Sequence, residues 1–163
     1  MNAPNPTFSV PSHGIAQALH RGQDELPFVE FDPGVEMQVL QIDRASGLWV
    51  VRMRMQPGAT LATHRHGGEV FAFTLQGSWK YLEYPEVNVA GSYLYEPAGS
   101  THTLHVPASN TDVTDVWFAI RGPNLNLDAD GKVTLIFDAD LVLKIYLSRC
   151  RKLGLPTPNV IGA

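Results

Sequence analysis

From Val35 onward the chain alternates short apolar segments with polar turn clusters, and the segments are too short and too β-branched to read as helices. They lie near residues 36–42, 48–55, 60–66, 70–76, 79–84, 91–96, 102–106, 113–120 and 132–137, and are rich in Val, Tyr, Trp, Phe and Thr. Turn signals such as Ala45-Ser46-Gly47, Gln56-Pro57-Gly58 and Pro97-Ala98-Gly99 separate them. Asp128-Ala129-Asp130-Gly131 reads as a tight hairpin turn before Lys132-Val133. Many short strands at this spacing predict an all-β sandwich or barrel, of which the jelly roll is one form.

The period changes near the C-terminus. Residues 140–153 place Leu141 with Ile145, and Leu143 with Leu147, at helical spacing. Asp138 can cap this helix, Arg149, Arg151 and Lys152 suit its C-terminal end, and Gly154 followed by Pro156 stops it. Residues 1–25 carry Pro4, Pro6, Pro11, Gly14 and Gly22 with little periodicity. They read as an N-terminal arm, and residues 26–163 as a single domain.

Bulk properties narrow the function classes. A length of 163 residues, with 44% apolar and 17% charged residues, suits one ordinary globular domain. Net charge is −4 and no Lys/Arg run stands out, so a nucleic-acid partner is disfavoured. Cys150 is the single cysteine, which gives no disulfide framework and no Cys-type zinc site. No leader pattern opens the sequence and no apolar run approaches the roughly 20 residues that span a bilayer. The expectation is a cytoplasmic protein with no membrane partner.

The chemistry is concentrated in two segments. In the first, Gly58 is followed by five residues and then by His64-Arg65-His66. On a strand, residues two apart point to the same face, so His64 and His66 present their imidazoles side by side, as two ligands of one metal would be. In the second, Gly91 leads through Tyr93-Leu94-Tyr95-Glu96 to the Pro97-Ala98-Gly99 turn, and His102 opens the next strand.

Together these two segments resemble the paired motifs of the cupin superfamily, which implies a jelly-roll β-barrel with His64, His66 and His102 on one metal ion. Cupins of the four-ligand type add a glutamate seven residues before the glycine that closes the first motif. That glycine is Gly77, and the position is Val70. Glu69 lies one residue early, which turns a strand residue to the opposite face unless a bulge at Gly67-Gly68 re-aims it.

Two other carboxylates compete for the vacant role. If Gln76-Gly77-Ser78 turns a hairpin, Glu83 falls across from position 70 and shares an inward face with Trp79 and Tyr81. Glu83 is then a fourth metal ligand or a close neighbour of the ion. Glu96, just before the Pro97 turn, is the candidate catalytic carboxylate, able to accept a hydrogen bond from a ligating histidine and fix its tautomer. His105 alternates away from His102, and His13 and His20 lie in the arm. Phe71, Phe73, Trp117 and Phe118 read as core.

Beyond the motifs, the stretches 76–85 and 95–104 resemble the 2,4'-dihydroxyacetophenone dioxygenase branch of cupins. The tail 125–133 followed by a helix resembles that branch and the acetylacetone-cleaving dioxygenase. The resemblance implies a mononuclear non-haem Fe(II) on three histidines, and cleavage by O2 of a carbon–carbon bond beside a carbonyl in a hydroxyketone or β-diketone. It also implies a homo-oligomer, dimer or tetramer. Imidazole ligands suit zinc as well as iron. The alternatives are therefore a zinc cupin acting as a sensor or regulatory module, as in anti-sigma-factor cupins, and a non-oxidative isomerase or lyase.

Overall fold

The structure, a computed structural model, describes residues 18–163. The greater part of the N-terminal arm, with His13, lies outside the described residues. His20 is exposed, with its Nδ1 3.9 Å from the Glu25 carboxylate.

Among the described residues, thirteen strands form three open sheets, all of them antiparallel ladders. The largest runs in the order β1 (Val29–Asp32), β2 (Val35–Asp43), β3 (Leu48–Met55), β11 (Thr114–Arg121), β5 (Val70–Gln76) and β8 (Tyr93–Glu96). A second holds β13 (Val133–Phe137), β12 (Asn124–Leu127), β4 (His64–His66) and β9 (Thr101–His102). The third is small: β10 (Leu104–His105), β6 (Ser78–Tyr81) and β7 (Val87–Val89). This is the all-β jelly-roll architecture with one helix, α1 (Ala139–Lys152).

Alternation decides which residues enter the core. Met37 and Val39 of β2, Val51, Met53 and Met55 of β3, and Val116, Phe118 and Ile120 of β11 are buried between the sheets. Because period two is strict, the residues between them face outward. Phe73, 42% exposed, pairs with Trp117 on that outer face, and Phe71 pairs with Ala119. Of the four aromatic residues expected in the core, only Phe118 is there. The inner face of β5 belongs instead to Val70, Ala72 and Thr74.

The predicted hairpin at Gln76-Gly77-Ser78 does not form. Gly77 adopts φ +75°, and a Cβ there would lie 2.6 Å from the Thr114 hydroxyl. Only glycine accepts both the backbone angle and the crowding. The chain therefore leaves the large sheet at this point, and β6 pairs with β7 and β10 rather than with β5.

Helix α1 starts as expected: the Asp138 side chain accepts the Leu141 N–H at 2.8 Å. It ends where Gly154 takes φ +69° and the Leu155 N–H reaches back to the Cys150 carbonyl at 3.0 Å. Its buried face, Val142, Leu143, Tyr146 and Cys150, packs over β1 and β2. The Tyr146 hydroxyl donates to the Pro27 carbonyl at 2.7 Å, which ties the helix to the chain entering β1. No helix among the described residues is long and apolar enough to cross a membrane.

Candidate metal centre

The three histidines come from two short paired strands. His64 and His66 both point inward from β4, and His102 on β9 sits directly opposite His64. All three are buried, and one ring nitrogen from each lies within 4.8 Å of the others. The ring centroids of His64, His66 and His102 stand 4.9 to 5.1 Å apart.

Tautomers follow from the hydrogen bonds. His64 Nδ1 donates to the Ala62 carbonyl at 2.8 Å, which leaves Nε2 without a proton and free to ligate. Burial lowers the pKa of His64 to about 4, and the nearby His66 and His102 rings press in the same direction. His64 is thus neutral at physiological pH, the state a metal requires.

Glu96 is the carboxylate that joins them. Its Oε2 lies 2.9 Å from His66 Nε2 and 3.0 Å from His102 Nε2, with all three side chains nearly inaccessible to solvent. These approaches are close but off the N–H axis: Glu96 Oε2 and His102 Nε2 complete no aligned hydrogen bond. Burial alone raises the Glu96 carboxyl, but the His102 and His66 rings outweigh it and bring the group down to about 2. Glu96 is anionic beside two of the three histidines.

Tyr81 was not singled out in the sequence. Its hydroxyl donates to Glu96 Oε1, and its ring stacks on His102 at 3.7 Å with 16° between planes. The signal was present in the alternation of Trp79 and Tyr81 on one face. Both are buried, but β6 ends at Tyr81 and the chain turns. Glu83 is therefore exposed, and its carboxylate accepts the Thr103 N–H at 2.9 Å. It is not among the converging ligand atoms, although it bonds the backbone beside His102 and senses that ring electrostatically, and position 70 faces Glu96 and Ile120 rather than Glu83. Glu69 is also exposed and accepts the Tyr95 hydroxyl at 3.2 Å. His105 pairs with the Thr60 hydroxyl at 2.8 Å and stays out of the cluster.

Two asparagines complete the sheet beside the ligands. On β12, Asn124 pairs with His66 and Asn126 with His64, so each amide shares a face with a histidine. Gly68 makes this possible, since a Cβ there would lie 2.3 Å from the Arg121 carbonyl oxygen, where β11 runs toward β12. The site opens into a cavity of about 610 Å³, walled mainly by apolar side chains such as Met37, Trp49, Met53, Phe118 and Ile120. Its outer rim is the face of α1 that carries Ile145, Ser148 and Arg149.

Buried polar side chains nearly always find partners, and the exceptions mark ligands. Among the described residues the unpartnered buried atoms are His66 Nδ1, Glu96 Oε2, Ser100 Oγ, His102 Nε2 and Asn124 Oδ1. All but Ser100 Oγ belong to the histidines, to Glu96 or to the asparagine paired with His66, and the Ser100 carbonyl accepts the His66 N–H at 3.0 Å. Three imidazoles around a common point, with orphaned ring nitrogens on two of them and a carboxylate alongside, fit a divalent metal ion.

A family model described as the ChrR cupin-like domain matches residues 17–123, which hold all three histidines and Glu96. The chain belongs to the ChrR cupin-like domain family. Among solved structures, this cupin is similar to a protein of unknown function with a cupin-like fold from Ralstonia eutropha. The two are 35% identical over 80% of this chain and 81% of the other, with a TM-score of 0.76. An RmlC-like cupin from the same organism is 26% identical over 91% and 96% of the two chains, with a TM-score of 0.82. The acetylacetone dioxygenase of Acinetobacter johnsonii shares the fold at 19% identity, over 91% and 99% of the chains, with a TM-score of 0.73. A comparison with curated proteins finds no match.

Proposed function

We propose that this cupin is a mononuclear non-haem iron(II) dioxygenase that cleaves a carbon–carbon bond beside the carbonyl of a hydroxyketone or β-diketone, with O2 as co-substrate. The observation that carries the reading is the convergence of three buried histidines, two of which, His64 and His66, line a largely apolar cavity, with Val70 where a fourth cupin ligand would stand.

His64, His66 and His102 would hold the ion. Bound iron(II) supplies Lewis acidity toward a chelating carbonyl group and the redox couple that dioxygen chemistry needs. Neutral imidazoles and the single charge of Glu96 leave the ion a net positive charge, so the site favours a substrate that chelates through two oxygens, as a hydroxyketone or the enolate of a β-diketone does. Tyr81 keeps Glu96 fixed through its hydroxyl and keeps His102 fixed through the stacked ring. The apolar wall excludes water and confines the reactants. Lys144, Arg149 and Lys152 on the rim of the cavity, in no ion pair among the described residues, attract an anion toward the opening.

The test begins with protein purified under nitrogen without added metal. Near-stoichiometric iron by elemental mass spectrometry, followed by oxygen uptake with aromatic hydroxyketones or β-diketones, is the expected result. Failure to take up oxygen after iron reconstitution ends the dioxygenase reading.

A second reading has one observation behind it: the matching family takes its description from ChrR. Under it the site binds zinc and the domain acts as a sensor or regulatory module. Zinc retained through iron reconstitution, with no oxygen uptake and with a change in binding to a protein partner, would favour it.

A further inference from the structure

We propose that Asn124 and Asn126 determine substrate specificity, and that they select a hydroxyketone over a β-diketone enolate. The inference rests on the dioxygenase reading of the same site and decides between the two substrate classes which that reading leaves open.

Register places the amides. In an antiparallel ladder, directly opposed residues share a face, so the inward direction of His64 and His66 is also that of Asn126 and Asn124. On the far side of β12, Asn126 faces Leu135 and Asn124 faces Phe137. Each row therefore runs from a metal-binding imidazole through an amide to an apolar side chain. Both asparagines line the cavity, as do Leu135 and Phe137. A molecule chelated at the histidines would pass over the amides before it reached the apolar wall.

The amides lack partners of their own. Neither side chain takes part in a hydrogen bond, and Asn124 Oδ1 is buried as well. An amide offers one acceptor and two donors. As placed, the Asn124 oxygen has no donor. Of the other polar groups nearby, the Tyr81 hydroxyl is committed to Glu96, and His66 Nδ1 and Ser100 Oγ make no hydrogen bond to either amide.

Substrate chemistry supplies the discrimination. An enolate of a β-diketone chelates through two oxygens that carry no proton, so it leaves the Asn124 oxygen buried and unpaired. A hydroxyketone brings an O–H that donates to that oxygen and a carbonyl that accepts from an amide N–H. Sites built to pair a substrate hydroxyl reject analogues without it far more strongly than apolar pockets reject a change of size.

The experiment uses the full chain loaded with zinc, which holds the site together without turnover, and reads binding by titration calorimetry. The probes are α-hydroxyacetophenone, its methyl ether 2-methoxyacetophenone, and benzoylacetone. The expected result is tenfold or greater preference for the hydroxyl compound over its ether, and for it over benzoylacetone. In Asn124→Leu that preference falls to about twofold while bound zinc stays stoichiometric. Equal affinities of the wild-type protein for the hydroxyl compound and its ether overturn the proposal without any variant, and mean that solvent satisfies the amide. Loss of zinc from Asn124→Leu, with all three probes weakened alike, also overturns it, and assigns Asn124 to His66. If none of the three probes binds the metal-loaded protein, the parent reading falls and takes this inference with it.

Discussion

Glu96 stands directly across from Val70 on the adjacent strands β8 and β5. In the four-ligand cupins that the motifs resemble, position 70 carries the metal-binding glutamate. Here the facing strand offers a carboxylate instead, and directly opposed Cβ atoms lie only about 5 Å apart. Glu96→Val is expected to weaken metal binding by about 10- to 100-fold. The exchange Val70→Glu with Glu96→Val should recover most of it, because the carboxylate returns from the other side of the same ladder. Competition against a fluorescent chelator measures both. Wild-type affinity in Glu96→Val would show that the carboxylate does not serve the ion.

Tyr81 is tied to the site twice, and the two ties separate by substitution. Tyr81→Phe keeps the ring stacked on His102 and removes the hydroxyl that holds Glu96. Metal affinity should fall by roughly tenfold, with the melting temperature lowered by only a few degrees. Tyr81→Ala also opens a cavity at a residue that is 4% exposed, at a cost of about 3 to 5 kcal/mol. Equal losses of metal in both variants, with equal melting temperatures, would contradict the assignment.

His64 makes the metal-free protein acid-sensitive in a defined window. Its pKa drops from 6.5 to about 4, chiefly through burial. Below 6.5 the unfolded chain takes up a proton that the folded chain refuses until about pH 4, so stability falls as pH drops through that interval. The loss is on the order of 3 kcal/mol. Glu96, lowered to about 2 where burial is outweighed by His102 and His66, adds a separate loss as pH falls below 4.5. Urea unfolding of chelator-treated protein at pH 7 and pH 4.5 should show the first decline, and His64→Gln should flatten it. Parallel pH dependences in the two proteins would refute this.

Removing Glu83 should leave the site intact. Its carboxylate is exposed and accepts a backbone N–H from Thr103, so Glu83→Ala is expected to cost under about 1 kcal/mol and no metal. His102→Ala, by contrast, should abolish stoichiometric metal while the far-ultraviolet circular dichroism stays that of a β protein. Elemental analysis of both variants checks the pair.

Much of this was legible in the sequence because it rests on short-range rules. His64 and His66 share a face by strand alternation, and Asp138 and Gly154 mark the helix ends by their backbone preferences. What was hidden depends on pairing between distant segments. Glu83 was set across from position 70 because Gly77 was read as a hairpin turn, whereas Gly77 passes the chain to another sheet. β1, β7 and β12 were passed over for related reasons: two of them are very short, and Asn-Leu-Asn-Leu has half its positions filled by a residue that disfavours strands. Tyr81 could be placed on an inward face, but its stacking on His102 depends on where β6 and β9 meet in space.

The division of labour among the strands has a consequence for how such a protein can change over time. The histidines that would hold an ion sit on β4 and β9, with Glu96 beside them on β8, inside the stretch matched by the family model, which ends at residue 123. The cavity is shared across that boundary: Met37, Trp49, Met53, Phe118 and Ile120 line it from within the matched stretch, and β12, β13 and α1 line it from the residues that follow. Under the proposed function, substitutions on β12, β13 and α1 would alter what the cavity admits without touching the three histidines, so one side of the cavity is free to vary while the other stays fixed.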